Sequence, residues 1–235
     1  MEAYVKLENV TKIYRMGEIE IRAADGIDFE IKKGEFVVIV GPSGAGKGTI
    51  CSMLRKQLPD LGYSISVTTR QPRPGEVDGK DYFFKTVDQV KDMIFRGELL
   101  EYAKVYDNYY GTPRPYVEKL LDEGKDVLLE IDIQGALQIK KVFPSGVFVF
   151  IVPPSLEELS ARIYKRGTDA VDVIEKRLAS ATKELSYANE YDYIIVNDVA
   201  EKATRKVMTL LEAERYRAAR TYFIVDKIIH HNTEA

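Results

Sequence analysis

Hydrophobic and polar positions along the chain follow two different rules, and the change comes near residue 35. Before it, Val5-Lys6-Leu7-Glu8-Asn9-Val10, Ile19-Glu20-Ile21-Arg22-Ala23 and Ile27-Asp28-Phe29-Glu30-Ile31 alternate apolar with polar residues. That is the period of strands with one solvated face. Met16-Gly17-Glu18 and Lys32-Lys33-Gly34 supply turns, so residues 1–34 are expected to form an antiparallel β meander of about three strands. From Glu35 the apolar runs become continuous. Glu35–Val40, Val127–Asp132, Gly146–Val152 and Tyr193–Val196 read as strands buried on both faces. Between them the helical period appears at Ile50–Leu58, Gln134–Val142, Leu156–Lys165, about 171–189 and about Ala200–Arg217. Alternating strand and helix predicts an α/β fold, a parallel sheet with helices on both faces.

The stretch from about Ser66 to Pro115 departs from this alternation and reads as a small inserted subdomain. Tyr63–Val67 is expected to be a strand leading into it, and Asp78-Gly79 a hairpin signal before Asp81–Phe84. Thr86 caps a helix that runs to Arg96 and ends at Gly97. Glu98–Val105 and Tyr109–Thr112 read as strands, and Pro113 and Pro115 open a helix closed by Gly124. Beyond Arg217, Tyr222–Val225 and Ile228-Ile229 are apolar segments suited to pairing with a sheet edge or another chain, and His230-His231 reads as tail.

One strand–turn–helix junction carries recognisable chemistry. Gly41-Pro42-Ser43-Gly44-Ala45-Gly46-Lys47-Gly48-Thr49 follows the first buried strand and opens a helix. A G-x-x-x-x-G-K turn in that context converges backbone N–H groups on a phosphate, and the helix N-terminus adds positive potential. Lys47 supplies a mobile charge for the outer phosphates. The position after the lysine, usually a hydroxyl that ligates Mg²⁺, is Gly48. Either Thr49 takes over, or Mg²⁺ is held mainly by water and phosphate.

A second group of residues suits an acceptor phosphate. Arg70 and Arg73 sit on a segment stiffened by Pro72 and Pro74, and paired guanidinium forks match a phosphate dianion. The net charge of −3 argues against nucleic acid as the main partner. The single cysteine, Cys51, excludes a disulfide framework within the chain and reads as a small buried filler. No apolar run approaches the ~20 residues of a membrane span and no signal-peptide pattern is present, so the cytoplasm is the expected location.

Two resemblances meet at the glycine-rich loop. L-E-N-V-T-K-I-Y-R-M-G-E through I-K-K-G-E-F-V-V-I-V-G-P-S-G resembles the start of an ABC transporter ATP-binding subunit over roughly the first 44 residues. That likeness implies that Tyr14 stacks on adenine; otherwise Tyr14 is a strand residue packing on its own sheet. The family's L-S-G-G-Q signature is absent.

From the loop to about Arg217 the chain instead resembles guanylate kinase, through several separate motifs at the family's spacing. The chain therefore reads as a chimera of two families joined at the strand and loop they share. The second likeness implies a P-loop NTPase-type fold with a GMP-binding subdomain over 66–115, a helical lid over 155–175, and a core domain spanning 35–220 before a tail at 221–235. It implies that Arg70, Arg73, Tyr82 and Tyr110 bind the GMP phosphate, and that Ser66, Glu101, Thr112 and Asp132 read guanine. A carboxylate such as Glu101 accepts from guanine N1–H and N2–H, and a hydroxyl such as Thr112 or Ser66 donates to O6. Asp132 also stands where it can orient waters on Mg²⁺. The likeness further implies that Gly41–Thr49 and Asn197 bind ATP, and that Arg162, Arg166 and Arg177 join Lys47 in carrying the charge of the transferred phosphoryl group. Phosphoryl transfer from ATP to GMP, with Mg²⁺, is the expected reaction. A non-catalytic binding module built on the same fold and an ABC-type ATPase are the alternatives.

Overall fold

A computed structural model of the chain describes residues 3–16, 19–32, 36–105, 107–166 and 171–231. It opens with β1 (Ala3–Met16) and β2 (Ile19–Lys32), an antiparallel pair. The expected three strands are therefore two long ones. Ala24-Asp25-Gly26 does not turn the chain; its extra residues are absorbed by shifts in register between Val10↔Ile27, Lys12↔Ala24 and Ile13↔Arg22.

There follow β3 (Phe36–Val40), α1 (Lys47–Gln57), β4 (Gly62–Tyr63), β5 (Val67–Thr68), β6 (Phe83–Phe84), α2 (Val87–Phe95), β7 (Leu99–Val105), β8 (Asn108–Pro113) and α3 (Arg114–Asp122). The chain continues with β9 (Val127–Glu130), α4 (Ile133–Val142), β10 (Val147–Val152), α5 (Leu156–Arg166), α6 (Val171–Leu185), β11 (Tyr193–Val196), α7 (Ala200–Arg215) and α8 (Ala218–His231).

The central sheet has the order β11-β10-β3-β9-β4 and is parallel throughout. Its continuous apolar runs are explained by two cores. Phe36, Val38, Val40, Phe148 and Phe150 face α4 residues Ile133, Ala136 and Ile139. The alternate residues Val37, Ile39, Val147, Val149 and Ile151 face Ile50, Cys51 and Leu54 of α1 and Ala203 and Val207 of α7. Cys51 is the buried filler expected. Glu130 ends β9 and Asn197 directly follows β11, at the carboxyl edge where ligands bind in such sheets.

A second, four-stranded sheet of order β6-β5-β8-β7 carries the inserted subdomain. Tyr63–Val67 is not one strand. The chain leaves the central sheet after Tyr63, with Ser64 N still bonded to Leu128 O at 2.9 Å, and joins the small sheet at Val67. Asp78-Gly79 forms a turn without the expected hairpin: the Asp78 carboxylate accepts from Phe84 N at 2.8 Å, and β6 then pairs parallel with β5. The expected cap is present, with Thr86 and Gln89 closing a reciprocal capping box at the start of α2.

The expected helix over 171–189 stops at Leu185 and is followed by a 3₁₀ turn, Ala188–Glu190. The last apolar segment does not pair as a strand. It is α8, because Tyr222, Val225 and Ile229 recur at a helical spacing that the β-branched residues obscure. His230 on this helix pairs with Asp226 at 3.2 Å. No helix among the described residues is long and apolar enough to cross a membrane.

Candidate active site

The loop between β3 and α1 is held by its neighbours before any ligand arrives. Ala45 N donates to Pro42 O at 3.1 Å, and the buried Asn197 amide donates to Ala45 O at 2.7 Å. Asn197, expected at the nucleotide, is thus also a brace of the loop from the end of β11. Lys47 donates to Gly41 O at 2.7 Å and Pro42 O at 3.3 Å, folded back along the loop it serves. Burial lowers its pKa, opposed by the carboxylates of Glu130 and Glu184.

At Gly48 a Cβ would lie 3.3 Å from Oε1 of Glu130, a tight contact that brings the residue after the lysine close to an acid at the end of β9. Thr49 is exposed in the first turn of α1. Thr49 on α1, Glu130 at the end of β9 and Asp132 at the start of α4 are hard oxygen donors, and among the described residues no group of three or more His, Cys, Asp or Glu could hold a metal ion by itself. That set fits Mg²⁺, which is commonly held by one or two carboxylates, phosphates and several waters.

Glu130 was not singled out by sequence reasoning, yet it links the two halves of the site. Tyr63 donates to its Oε2 at 3.2 Å. Burial, and after it the charge of Glu130, raises the phenols of Tyr63 and Tyr82, and the same charge opposes the burial that lowers Lys47. The signal lay in the strand itself, an acid two residues before Asp132 at the end of an apolar run.

The small sheet and the loop between β5 and β6 gather residues expected to hold the acceptor. Tyr82 and Tyr110 meet edge to face with centroids 6.2 Å apart, and the Arg70 guanidinium stands 5.4 Å from the Tyr82 ring. Burial and Glu130 push the Tyr82 phenol up to about 12, so it stays a hydrogen-bond donor at neutral pH. Arg70 is held by Glu76, another residue the sequence reading passed over, with NH1–Oε2 at 3.0 Å and NH2–Oε1 at 2.8 Å. Glu76 Oε2 also accepts from Arg73 N at 2.7 Å, so one carboxylate fixes both arginine positions. Hydrogen bonding to Arg70 holds that carboxyl below its usual range.

Deeper between the sheets lies Glu101, only 4% exposed. Thr112 donates to its Oε1 at 2.7 Å, so the Thr112 proton is committed to the acid in this structure and Ser66, half-buried, is the freer hydroxyl. Burial pushes the Glu101 carboxyl up to about 8, with Asp132 adding to the rise and the Thr112 bond opposing it. Asp132, expected as a strand terminus, is the N-cap of α4 and accepts from Gly135 N at 2.9 Å.

Gly135 is required by close approach, since a Cβ there would stand 2.3 Å from Glu101 Oε2. Gly135→Ala is therefore expected to raise the KM for GMP about tenfold through displacement of one charged acceptor, with the KM for ATP unchanged. Alanine is the better helix former by about 1 kcal/mol and the clash costs about 1–3 kcal/mol, so a thermal melt separates lost stability from the binding defect. Steady-state kinetics with each nucleotide varied would check it, and an unaltered KM for GMP would count against the role given to Glu101.

Arg162 on α5 pairs with Glu158 at 2.8 Å and is half-buried. The side chains of Arg166, Arg177 and Tyr14 lie outside the described residues.

A phosphate loop and a cluster of arginines, tyrosines and a buried acid therefore face each other across Glu130. This defines a P-loop phosphotransferase with separate places for a donor nucleotide and a phosphorylated acceptor. Residues 33–214 match the family model described as guanylate kinase. The chain is 55% identical over 197 residues to the guanylate kinase of Caldanaerobacter subterraneus subsp. tengcongensis, an alignment covering 84% of this chain and 96% of that one. It is 52% identical over 195 residues to that of Desulfitobacterium hafniense, covering 83% and 98%. The crystal structure of guanylate kinase from Anaplasma phagocytophilum superposes with a TM-score of 0.68 at 36% identity, over 80% of this chain and 90% of that one. The chain belongs to the guanylate kinase family, and its reaction is the transfer of a phosphoryl group from ATP to GMP.

Proposed function

We propose that Glu101 and Ser66 read the guanine base, with Thr112 and Asp132 placing Glu101 and the first turn of α4 around it. Arg70, Arg73, Tyr82 and Tyr110 hold the GMP phosphate, oriented by Glu76. The observation that carries this reading is Glu101 itself: a buried acid whose hydrogen-bonding partner is one hydroxyl, set against a glycine that leaves room for it. Ionised, it accepts from guanine N1–H and N2–H. Adenine has a bare N1 at the same place and would leave the acid unpaired, which a buried polar site penalises strongly.

On the donor side, Gly41 to Thr49 cradle the ATP phosphates, with Asn197 bracing the loop near the adenine end. A phosphate oxygen of GMP attacks the γ-phosphorus in line, the bond to the bridging oxygen breaks, and ADP leaves. Lys47, Arg162, Arg166 and Arg177 stabilise the charge spread over the transferred group, Arg162 and Arg166 being carried by a lid over residues 155–175 and Arg177 by the helix that follows it. Mg²⁺ would be held by Thr49 and, through water, by Glu130 and Asp132, and supplies further neutralisation of phosphate charge. The work of the protein is positioning and the exclusion of water, with no covalent intermediate.

Residues 1–32 precede the matched family segment. We infer that this hairpin, with its ABC-like sequence, is an appended β layer that leaves GMP entry open, and that the enzyme works in the cytoplasm. An assay of ADP formation is expected to show turnover with ATP and GMP, and little with AMP or with no acceptor. Acceptor-independent ADP would point to an ATPase, and none at all to a binding module. Removing residues 1–33 is expected to change kcat by less than about twofold, since the segment that matches the family begins only at residue 33. Loss of GMP phosphorylation in a folded truncated protein would overturn the account of the hairpin.

A further inference from the structure

At β4, the edge strand of the central sheet, a cavity of about 720 Å³ opens between α1, β4, the loop before β6 and α3. Its walls bring together Arg55 and Lys56 from α1, Lys80 from the opposite side, and the rings of Tyr63 and Tyr116. Three cations line it and no carboxylate does, in a chain whose net charge is −3. Among the described residues, the contact recorded for Arg55 is not with an acid: its guanidinium lies 4.3 Å over the Tyr63 ring.

That stacking matters for what the site can hold. The N–H donors of a guanidinium lie in its plane, so a ring against its face fixes the group and leaves the donor edges available. A guanidinium and a lysine from α1 and a lysine from the loop before β6 line one cavity, a combination that suits an anion with more than one charged centre. The volume exceeds what a single phosphate needs and falls in the range of small-ligand clefts. Tyr63 is the partition between this cavity and the catalytic cleft, since its hydroxyl donates to Glu130 on the far side at 3.2 Å.

We propose that this cavity is a second anion site, which takes a polyphosphate chain, inorganic or the phosphate end of a nucleotide, between Arg55, Lys56 and Lys80. It is independent of the phosphoryl-transfer site, although both bind phosphate. The two are separated by occupying the catalytic cleft first, with one equivalent of a blocker in which adenosine and guanosine are joined through five phosphates. Calorimetric titration of the blocker alone establishes that it binds. Pyrophosphate titrated into the blocked full-length protein is then expected to bind with a stoichiometry near one. Arg55→Ala and Lys80→Ala are each expected to weaken that binding about tenfold or more, as for loss of one charged hydrogen bond. Raising the salt from about 0.1 to about 0.5 M should weaken it further. Both residues are exposed, and thermal melts check that the variants fold. ADP in place of pyrophosphate distinguishes the sources: tighter binding identifies a nucleotide, equal binding the phosphate chain alone. The proposal is overturned if the blocked protein binds neither probe, or if both substitutions leave pyrophosphate binding unchanged.

Discussion

Replacing Lys47 with methionine is expected to lower kcat for ATP and GMP by about 10²- to 10³-fold, the range for removing one preorganised charge from a transition state. The expectation rests on where the ammonium sits. It is anchored to Gly41 O and Pro42 O, inside the turn that receives the phosphates, and Glu130 and Glu184 favour its charged form against the cost of burial. Methionine keeps the length of the side chain and its packing while deleting the charge. The KM for ATP should change far less than kcat, because the backbone N–H groups of the loop still grip the ground state. Steady-state kinetics with ATP and GMP each varied would separate the two parameters. A kcat within about tenfold of the parent would remove Lys47 from the role given to it.

GMP binding is expected to strengthen roughly 20-fold between pH 6.5 and 8.5, because only the ionised fraction of Glu101 is competent. The acid stands at about 8 in the free protein, so near neutrality it is mostly protonated and cannot accept both guanine donors. Binding should then release close to one proton at pH 7. Calorimetry in buffers of different ionisation enthalpy counts that proton directly. Glu101→Gln should abolish the pH slope, and at high pH should cost about 1.5–3 kcal/mol of GMP binding. Unchanged discrimination between GMP and AMP in that variant would count against the base-reading role.

The same acid has a consequence for stability with a definite sign. Its folded pKa lies above the unfolded value of 4.5, so the folded state binds more protons between the two values. Its contribution to stability is present below about 4.5 and is lost as pH rises toward about 8. Substrate affinity and this part of the fold's stability therefore change in opposite directions with pH, as expected where burial disfavours the charged form that the substrate needs.

Much of the fold was legible because its signals are local. The buried strands announce themselves as continuous apolar runs, since each is covered on both faces, and Thr86, Gly97, Pro113 and Gly124 mark helix boundaries through backbone chemistry that needs no distant partner. The glycine-rich loop was legible for the same reason: strand, turn and helix are consecutive. The errors fall where distant partners decide. Tyr63–Val67 looks like one strand until the chain is divided between two sheets. The last apolar segment has β-branched residues at helical spacing, and the helix prevailed. The first residues bulge through Ala24-Asp25-Gly26 instead of turning, because cross-strand pairing on either side holds the ribbon together.

By itself the amino-acid sequence determined the alternation of buried strands and helices from residue 35 onward, the glycine-rich loop and the paired arginines on a proline-stiffened segment, and family likeness pointed to Glu101 as the acid proposed to read the base. It did so because each of these is a short pattern of residue types whose chemistry is carried by neighbours in the chain. Only the tertiary structure decided that Glu130 joins the loop to the acceptor side, that Glu76 sets both arginines, that Gly135 makes room for Glu101, and that burial holds that acid near neutrality. These depend on groups brought together from different strands and helices. Solvent exclusion and through-space charge are properties of that assembly, with no counterpart in the order of residues along the chain.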